Sequence, residues 1–369
     1  MRIAFLILLV ALGIGLAVTF VRFLVGAVGD GDAGRSFGAG TDGGVYVSND
    51  GGEVFAQHTQ AGDRDFSRFD ILALVEDSQR LGRWWIATEG AGLYRSDDAA
   101  STWTLVGEGL ERATVRSVAL AGGSTLLVSV DSGDRGRVWK SFDDGATFRE
   151  TYSAAREGVW VNTLAVPAQD ATRVLAGLSD GLLVGSSDGG ESWTKLTQFS
   201  AEVRAIRFAP SDPAVVYALT EGQGMVRSRD RGQTWEDLAQ LFNVPDAGTE
   251  GKALSQFSRG RDVFAIAVHP YDAQQLLLAT AAGLLRSSDG GTRFVELPVP
   301  LRPGALPVRA AAFLPTNPSV LYATAGDGLY TSFDGGVNFR VTRFSISPKL
   351  TIVASSAADA RLLLIGTGN

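Results

Sequence analysis

Residues 186–193 read SSDGGESW, and residues 287–294 read SSDGGTRF. The frame they share, Ser-x-Asp-x-Gly-x-x-aromatic, recurs at Ser48–Phe55, Ser96–Trp103, Ser141–Phe148, Ser228–Trp235 and Ser332–Phe339, which makes seven boxes. One box departs from the frame, with Ala100 in the glycine position. The boxes start 48, 45, 45, 42, 59 and 45 residues apart. A period near 45 is the length of one four-stranded propeller blade, so the spacing predicts a repeat architecture.

The chemistry of the box is structural. Its aspartates are Asp50, Asp98, Asp143, Asp188, Asp230, Asp289 and Asp334. Each is expected to accept hydrogen bonds from backbone N–H groups of its own turn. The glycine supplies a backbone angle that other residues resist, and the aromatic ring enters the apolar layer between strands. A feature present in every blade is scaffold, because chemistry is done once per site.

The pattern around the fifth box shows the rest of a blade: VRAIRFAP at 203–210, VVYALTEG at 215–222, MVRSRD at 225–230 and WEDLAQL at 235–241. The first run alternates less and reads as a buried inner strand, whereas the later runs alternate as strands near a rim should. The chain ends in LTIVASS (350–356) and RLLLIGTGN (361–369), an inner strand pair without its outer pair. It also carries GGVYVSND (43–50) and EVFAQHT (53–59), an outer pair without its inner one. Joining them closes a seventh blade from both halves and removes two free edges. The expected fold is an all-β, seven-bladed β-propeller with two-plus-two strand closure over residues 43–369.

Residues 3–21, IAFLILLVALGIGLAVTFV, carry no charge over nineteen positions, and 23–29 continue the apolar run past Arg22. At 1.5 Å rise per residue this nearly spans a bilayer core of about 30 Å. A cleaved signal peptide is the alternative, with Val25-Gly26-Ala27 as its cleavage site. The apolar run exceeds the usual signal-peptide length, so an N-terminal transmembrane helix over 1–29 and a linker over 30–42 are expected. Ala11 and Gly15 are four apart, a spacing that lets helices pack closely in lipid, and Arg22 would sit at the interface. Arg2 precedes the segment while Asp30 and Asp32 follow it. Positive-inside bias then makes this a single-pass protein of a bacterial inner membrane with the propeller in the periplasm.

Composition excludes several classes. The net charge is −7 and no basic block appears, which argues against nucleic-acid binding. There is no cysteine, and His58 and His269 are the only imidazoles, so neither a thiolate nucleophile nor a multi-histidine metal site is available. No cofactor is expected.

The boxes resemble the bacterial-neuraminidase or Asp-box repeat, and the resemblance covers essentially residues 43–369. That repeat occurs in sialidases, xyloglucan hydrolases, sortilin-type receptors and photosystem II assembly factors. A single seven-bladed ring behind an amino-terminal membrane or export segment is most similar to the photosystem assembly and stability factors. The Arg-Ile-Pro motif of sialidases is absent from this sequence, and the xyloglucan enzymes use two such propellers facing a cleft. The resemblance therefore implies a non-catalytic subunit that assembles or stabilises a larger membrane complex, with a photosynthetic reaction-centre complex as the specific expectation. An anchored glycoside hydrolase or glycan-binding protein is the alternative.

Glycoside hydrolysis needs two carboxylates about 5–5.5 Å or 6.5–9.5 Å apart in a cleft. The loops leading into the inner strands offer Asp63, Asp65, Asp70, Glu157, Glu202, Asp246, Glu250 and Asp262, and no pair among them stands out. Aligning the blades instead places Asp70, Arg116, Asn162, Arg204, Phe264, Arg309 and Thr351 at equivalent positions around the channel mouth. Arginine in three alternate blades would focus positive potential there and bind either an acidic segment of a partner or an anionic ligand. Pairing with neighbours such as Asp70 is the competing expectation. The 59-residue spacing marks an insertion at 242–262, where Phe242, Leu254 and Phe257 either dock on a partner or fold back over the propeller. Phe66, Phe69 and Trp160 read as exposed near the same face. Trp84 and Trp85 point to opposite sides of one strand, so unequal burial is expected.

Overall fold

The computed structural model describes residues 35–37, 43–238, 251–301, 307–346 and 349–368. Among them are seven sheets arranged as consecutive blades, each of four antiparallel strands, with a fifth, parallel strand added to one of them. Blades 1 to 6 cover 71–106, 114–153, 161–198, 203–237, 263–296 and 308–344. Blade 7 takes Lys349–Ser355 and Leu363–Gly368 from the end of the chain and Val45–Ser48 and Ala56–Gln57 from near its beginning. The expected closure is present, with Val45–Ser48 pairing antiparallel to Leu363–Gly366. It is fastened by Thr367, whose Oγ1 accepts the Gly44 N–H at 2.6 Å inside the ring.

Seven hydrophobic clusters account for the core, one at each interface between neighbouring blades. This corrects the expectation for Trp84 and Trp85. Both are 1% exposed, because a blade is flanked on both faces. Trp84 packs toward blade 7 with Val45 and Leu364, and Trp85 packs toward blade 2 with Val115 and Val128. The same geometry corrects the reading of the innermost strand. The second strands, such as Val174–Leu178 and Leu276–Thr280, are buried throughout. The inner strand Val203–Ala209 mixes buried, half-buried and exposed positions because it borders an open axial channel. Phe66, read as exposed, is fully buried against Tyr94 at a ring separation of 4.6 Å.

All seven boxes close in the same way. The serine hydroxyl donates to the aspartate Oδ1, as in Ser186–Asp188 at 2.7 Å, and accepts the N–H four residues on, as from Gly190 at 2.8 Å. The serine is therefore the hub of the turn, a role the sequence frame alone did not assign. Each box holds two consecutive residues at positive φ, including Ala99 (58°) and Ala100 (63°) in the aberrant copy. The Thr147, Thr234 and Asn338 hydrogen bonds hold Asp143, Asp230 and Asp334 down at about 2, below the usual carboxylate range. The boxes lie beside the turns that follow the inner strands; the Ala99 N–H, for example, donates to Gly82 O. They mark one face of the ring, and the inner strands begin at the other.

Residues 1–29, with Ala11, Gly15 and Arg22, lie outside the described residues. No helix among the described residues is long and apolar enough to cross a membrane. The stretch 30–42, read as a linker, contains a strand, Arg35–Phe37, that pairs parallel with Thr342–Phe344 on the outer edge of blade 6.

Candidate functional site

The inner strands present their first residues to a cavity of about 560 Å³ at the channel mouth, opposite the boxes. Asp70, Arg116, Asn162, Arg204, Phe264, Arg309 and Thr351 all line it, as the blade alignment predicts. The pairing between first and second strands explains why. In every blade the register slips by one residue near the start of the inner strand, between Val115 and Ser117 or Val203 and Ala205, for example. The skipped residue is a bulge, which re-aims its side chain. Arg116, Asn162, Arg204, Phe264, Arg309 and Thr351 are those bulge residues in blades 2 to 7. In blade 1 the bulge falls on Leu72, so the equivalent of the arginines there is Leu72 and not Asp70.

The three arginines differ in their surroundings. Arg116 grips Asp131 of the adjacent strand through Nε at 2.8 Å and Nη2 at 2.7 Å, and its guanidinium lies 5.8 Å from the centre of the Trp160 ring. Arg204 Nη2 reaches Glu221 Oε1 at 2.5 Å. Arg309 stacks over Phe264 at 5.8 Å and meets no carboxylate within ion-pair range among the described residues. The expected ring of three free guanidiniums is thus reduced. Two are matched by Asp131 and Glu221 within their own blades, and Arg309 is the unmatched one.

The carboxylates sort as clearly. Asn162 Nδ2 donates to Glu202 Oε1 at 2.9 Å, and burial, followed by hydrogen bonding with Glu221, pushes the Glu202 carboxyl up. Asp65 caps its own turn by accepting the Ser67 N–H at 2.8 Å. Glu157 and Asp262 pair with Arg135 and Arg259. Asp246 and Glu250 lie outside the described residues, as does Phe242. The described part of the insertion folds back. Leu254 is fully buried in the interface of blades 4 and 5, and Phe257 is half-buried against the same cluster. Phe69 remains exposed on the mouth side. No group of three or more acidic or imidazole side chains suited to a metal ion occurs among the described residues.

No protein-family model and no curated protein sequence matches the chain. Solved structures do resemble it. A glycoside hydrolase family 74 xyloglucanase from Xanthomonas campestris superposes with a TM-score of 0.64 at 18% identity over 85% of this chain. The chain spans only about half, 52%, of that enzyme. YCF48 bound to D1 peptide gives a TM-score of 0.60 at 16% identity, over 82% of this chain and 94% of that one. YCF48 from Cyanidioschyzon merolae gives 0.60 at 14%, over 81% and 95%. At these identities the likeness establishes the fold and leaves the chemistry to the site. The fold is a single seven-bladed propeller, shared with both an enzyme and a peptide-binding protein.

Proposed function

We propose that this chain is a non-catalytic, membrane-attached propeller that supports the assembly or stability of a larger membrane protein complex, holding an acidic segment of a partner at its mouth. The observation that carries the proposal is the bulge-aimed ring. Six blades use a bulge to direct Arg116, Asn162, Arg204, Phe264, Arg309 and Thr351 into one cavity, and Arg309 meets no carboxylate among the described residues. A guanidinium stacked on an aromatic ring keeps its donors free for a carboxylate. The likeness in length and fold to YCF48, whose solved complex holds a D1 peptide, supports peptide binding and favours a photosynthetic reaction-centre complex as the setting.

Membrane attachment is supported by the apolar run at 3–29 and by the box face. Six of the eight large hydrophobic side chains exposed among the described residues, Val54, Leu81, Phe142, Tyr271, Phe333 and Val337, lie on that face. They come from blades 5, 6, 7, 1 and 2, a continuous arc. The strand Arg35–Phe37 runs parallel to Arg340–Phe344 and so begins at the box side. In this reading the propeller stands in the periplasm.

The test is capture of the full-length chain from mildly solubilised membranes, as wild type and as Arg116→Glu, Arg204→Glu, Arg309→Glu. Retention of integral membrane subunits by the wild type and their loss from a folded variant is the expected result. Equal capture by both would remove the mouth from the account. A second reading, glycoside hydrolysis, is favoured by the raised Glu202 beside Glu221 and by the xyloglucanase fold. It requires hydrolysis of a glycan that Glu202→Gln or Glu221→Gln abolishes.

A further inference from the structure

Three residues beyond each bulge, the inner strands form a second ring deeper in the channel. Val75, Ala119, Ala165, Ala267, Ala312 and Ala354 occupy it in six blades, and blade 4 places Arg207 there. The register confirms the equivalence, since each pairs with the corresponding residue of its second strand: Ala119 with Leu127, Arg207 with Tyr217, Ala312 with Tyr322. The small side chains leave lumen, and a single guanidinium projects into it. Among the described residues Arg207 alone borders three cavities along the axis: the mouth cavity and two of about 350 and 520 Å³ toward the box face.

The guanidinium carries five N–H donors. One hydrogen bond uses them among the described residues, from Nη1 to the carbonyl of Ile206 at 2.9 Å, and no carboxylate lies within ion-pair range. Glu76, which borders both box-side cavities, is already occupied by the Ser356 hydroxyl and by the Ala357 N–H at 2.6 Å. Enclosure by protein draws the Arg207 pKa down, yet the side chain is reachable by solvent along the channel, so it stays charged. Among the described residues this charge has no counter-charge, and the walls of the two box-side cavities around it are largely apolar.

We infer that the channel waist is an anion site in which Arg207 takes one carboxylate through its planar fork. The fork matches a carboxylate bidentately and a spherical halide poorly. Among the described residues that line the two box-side cavities Arg207 is the sole cation, so a monoanion neutralises the site. The carboxylate comes either from a small free acid or from the end of a partner segment reaching past the mouth. The site itself does not depend on the partner-binding reading.

The full-length protein in detergent, labelled with ¹⁵N-arginine, provides the test. The Arg207 Nε–H signal is assigned by its absence from Arg207→Lys, and acetate is titrated against chloride at constant ionic strength. A saturable shift of that signal with acetate, absent with chloride, is expected. Acetate should also raise the melting temperature of wild type, while Arg207→Gln binds it at least tenfold more weakly, about 1.4 kcal/mol. A short peptide with a free terminal carboxylate, set against its amide, identifies the source. Binding of the free-acid peptide at the same signal means a partner segment, and binding of acetate alone means a small acid. No saturable shift with either would overturn the site, as would an unchanged acetate affinity in a folded Arg207→Gln.

Discussion

A methyl group at Gly190 should be among the most damaging small changes to this protein, while one at its neighbour Gly189 should be mild. Both sit in the fourth box at positive φ, +74° for Gly189 and +87° for Gly190. Any L-residue there meets left-handed strain of about 1–2 kcal/mol. At Gly189 little is added, since a Cβ would find its nearest atoms, Ala171 O and Lys140 Nζ, at 3.4 Å. At Gly190 a Cβ would lie 2.4 Å from Cδ2 of the fully buried Leu127, on the second strand of blade 2. Relieving that overlap in a packed interface costs about 1–3 kcal/mol more. The expected loss is therefore about 2–5 kcal/mol for Gly190→Ala and about 1–2 kcal/mol for Gly189→Ala. Urea unfolding followed by tryptophan fluorescence reads both from the midpoints at a common slope. Ala99 and Ala100 show that the turn accepts methyl groups where the neighbours leave room. Equal stability of the two variants would refute the assignment of these glycines to inter-blade contact.

Three further outcomes follow from the geometry. Thr367→Ala should destabilise the ring by about 1–3 kcal/mol, because it leaves the buried Gly44 N–H unsatisfied where the two ends of the fold meet, and Thr367→Ser should restore most of the loss in the same urea assay. The box carboxylates at Asp143, Asp230 and Asp334 have folded values lowered to about 2. A depressed acid contributes stability above its unfolded value near 3.9, and that contribution is lost as pH falls through the folded value. The melting temperature should therefore drop between about pH 4 and pH 2, and Asp143→Asn with Asp334→Asn should flatten that slope. Glu202→Gln should leave the fold and partner capture intact; loss of a glycan-hydrolysing activity in that variant would instead establish the enzymatic reading.

The sequence carried the fold because the boxes are local. Ser, Asp and Gly at fixed offsets specify a turn whose hydrogen bonds stay within five residues, so seven copies could be counted without knowing what surrounds them. The closure was legible for a similar reason, since Val45–Ser48 and Leu363–Gly368 each lack half a blade. The mouth was legible only up to the bulge. Aligning the blades puts Asp70 at the position of the arginines, and the slip between Ile71 and Ala73 transfers that position to Leu72. Partners fixed by register across strands were not readable, which is why Arg116 with Asp131 and Arg204 with Glu221 emerge only from the structure. Trp84 and Trp85 misled because a two-sided strand in an ordinary sheet has one wet face, whereas a blade has neighbours on both. Arg207 drew no attention as one arginine among many. Its meaning appears when it is set against the alanines of the other blades.

The most direct test of the central claim is a quantitative comparison of partner retention at the mouth. Full-length wild type and Arg309→Glu are captured from native membranes in mild detergent, checked for equal melting temperature, and weighed as intact complexes. The account predicts a wild-type assembly containing integral membrane subunits and a folded Arg309→Glu chain that has lost them. Wild type recovered only as a lone chain, or Arg309→Glu retaining the same subunits in the same ratio, would contradict it.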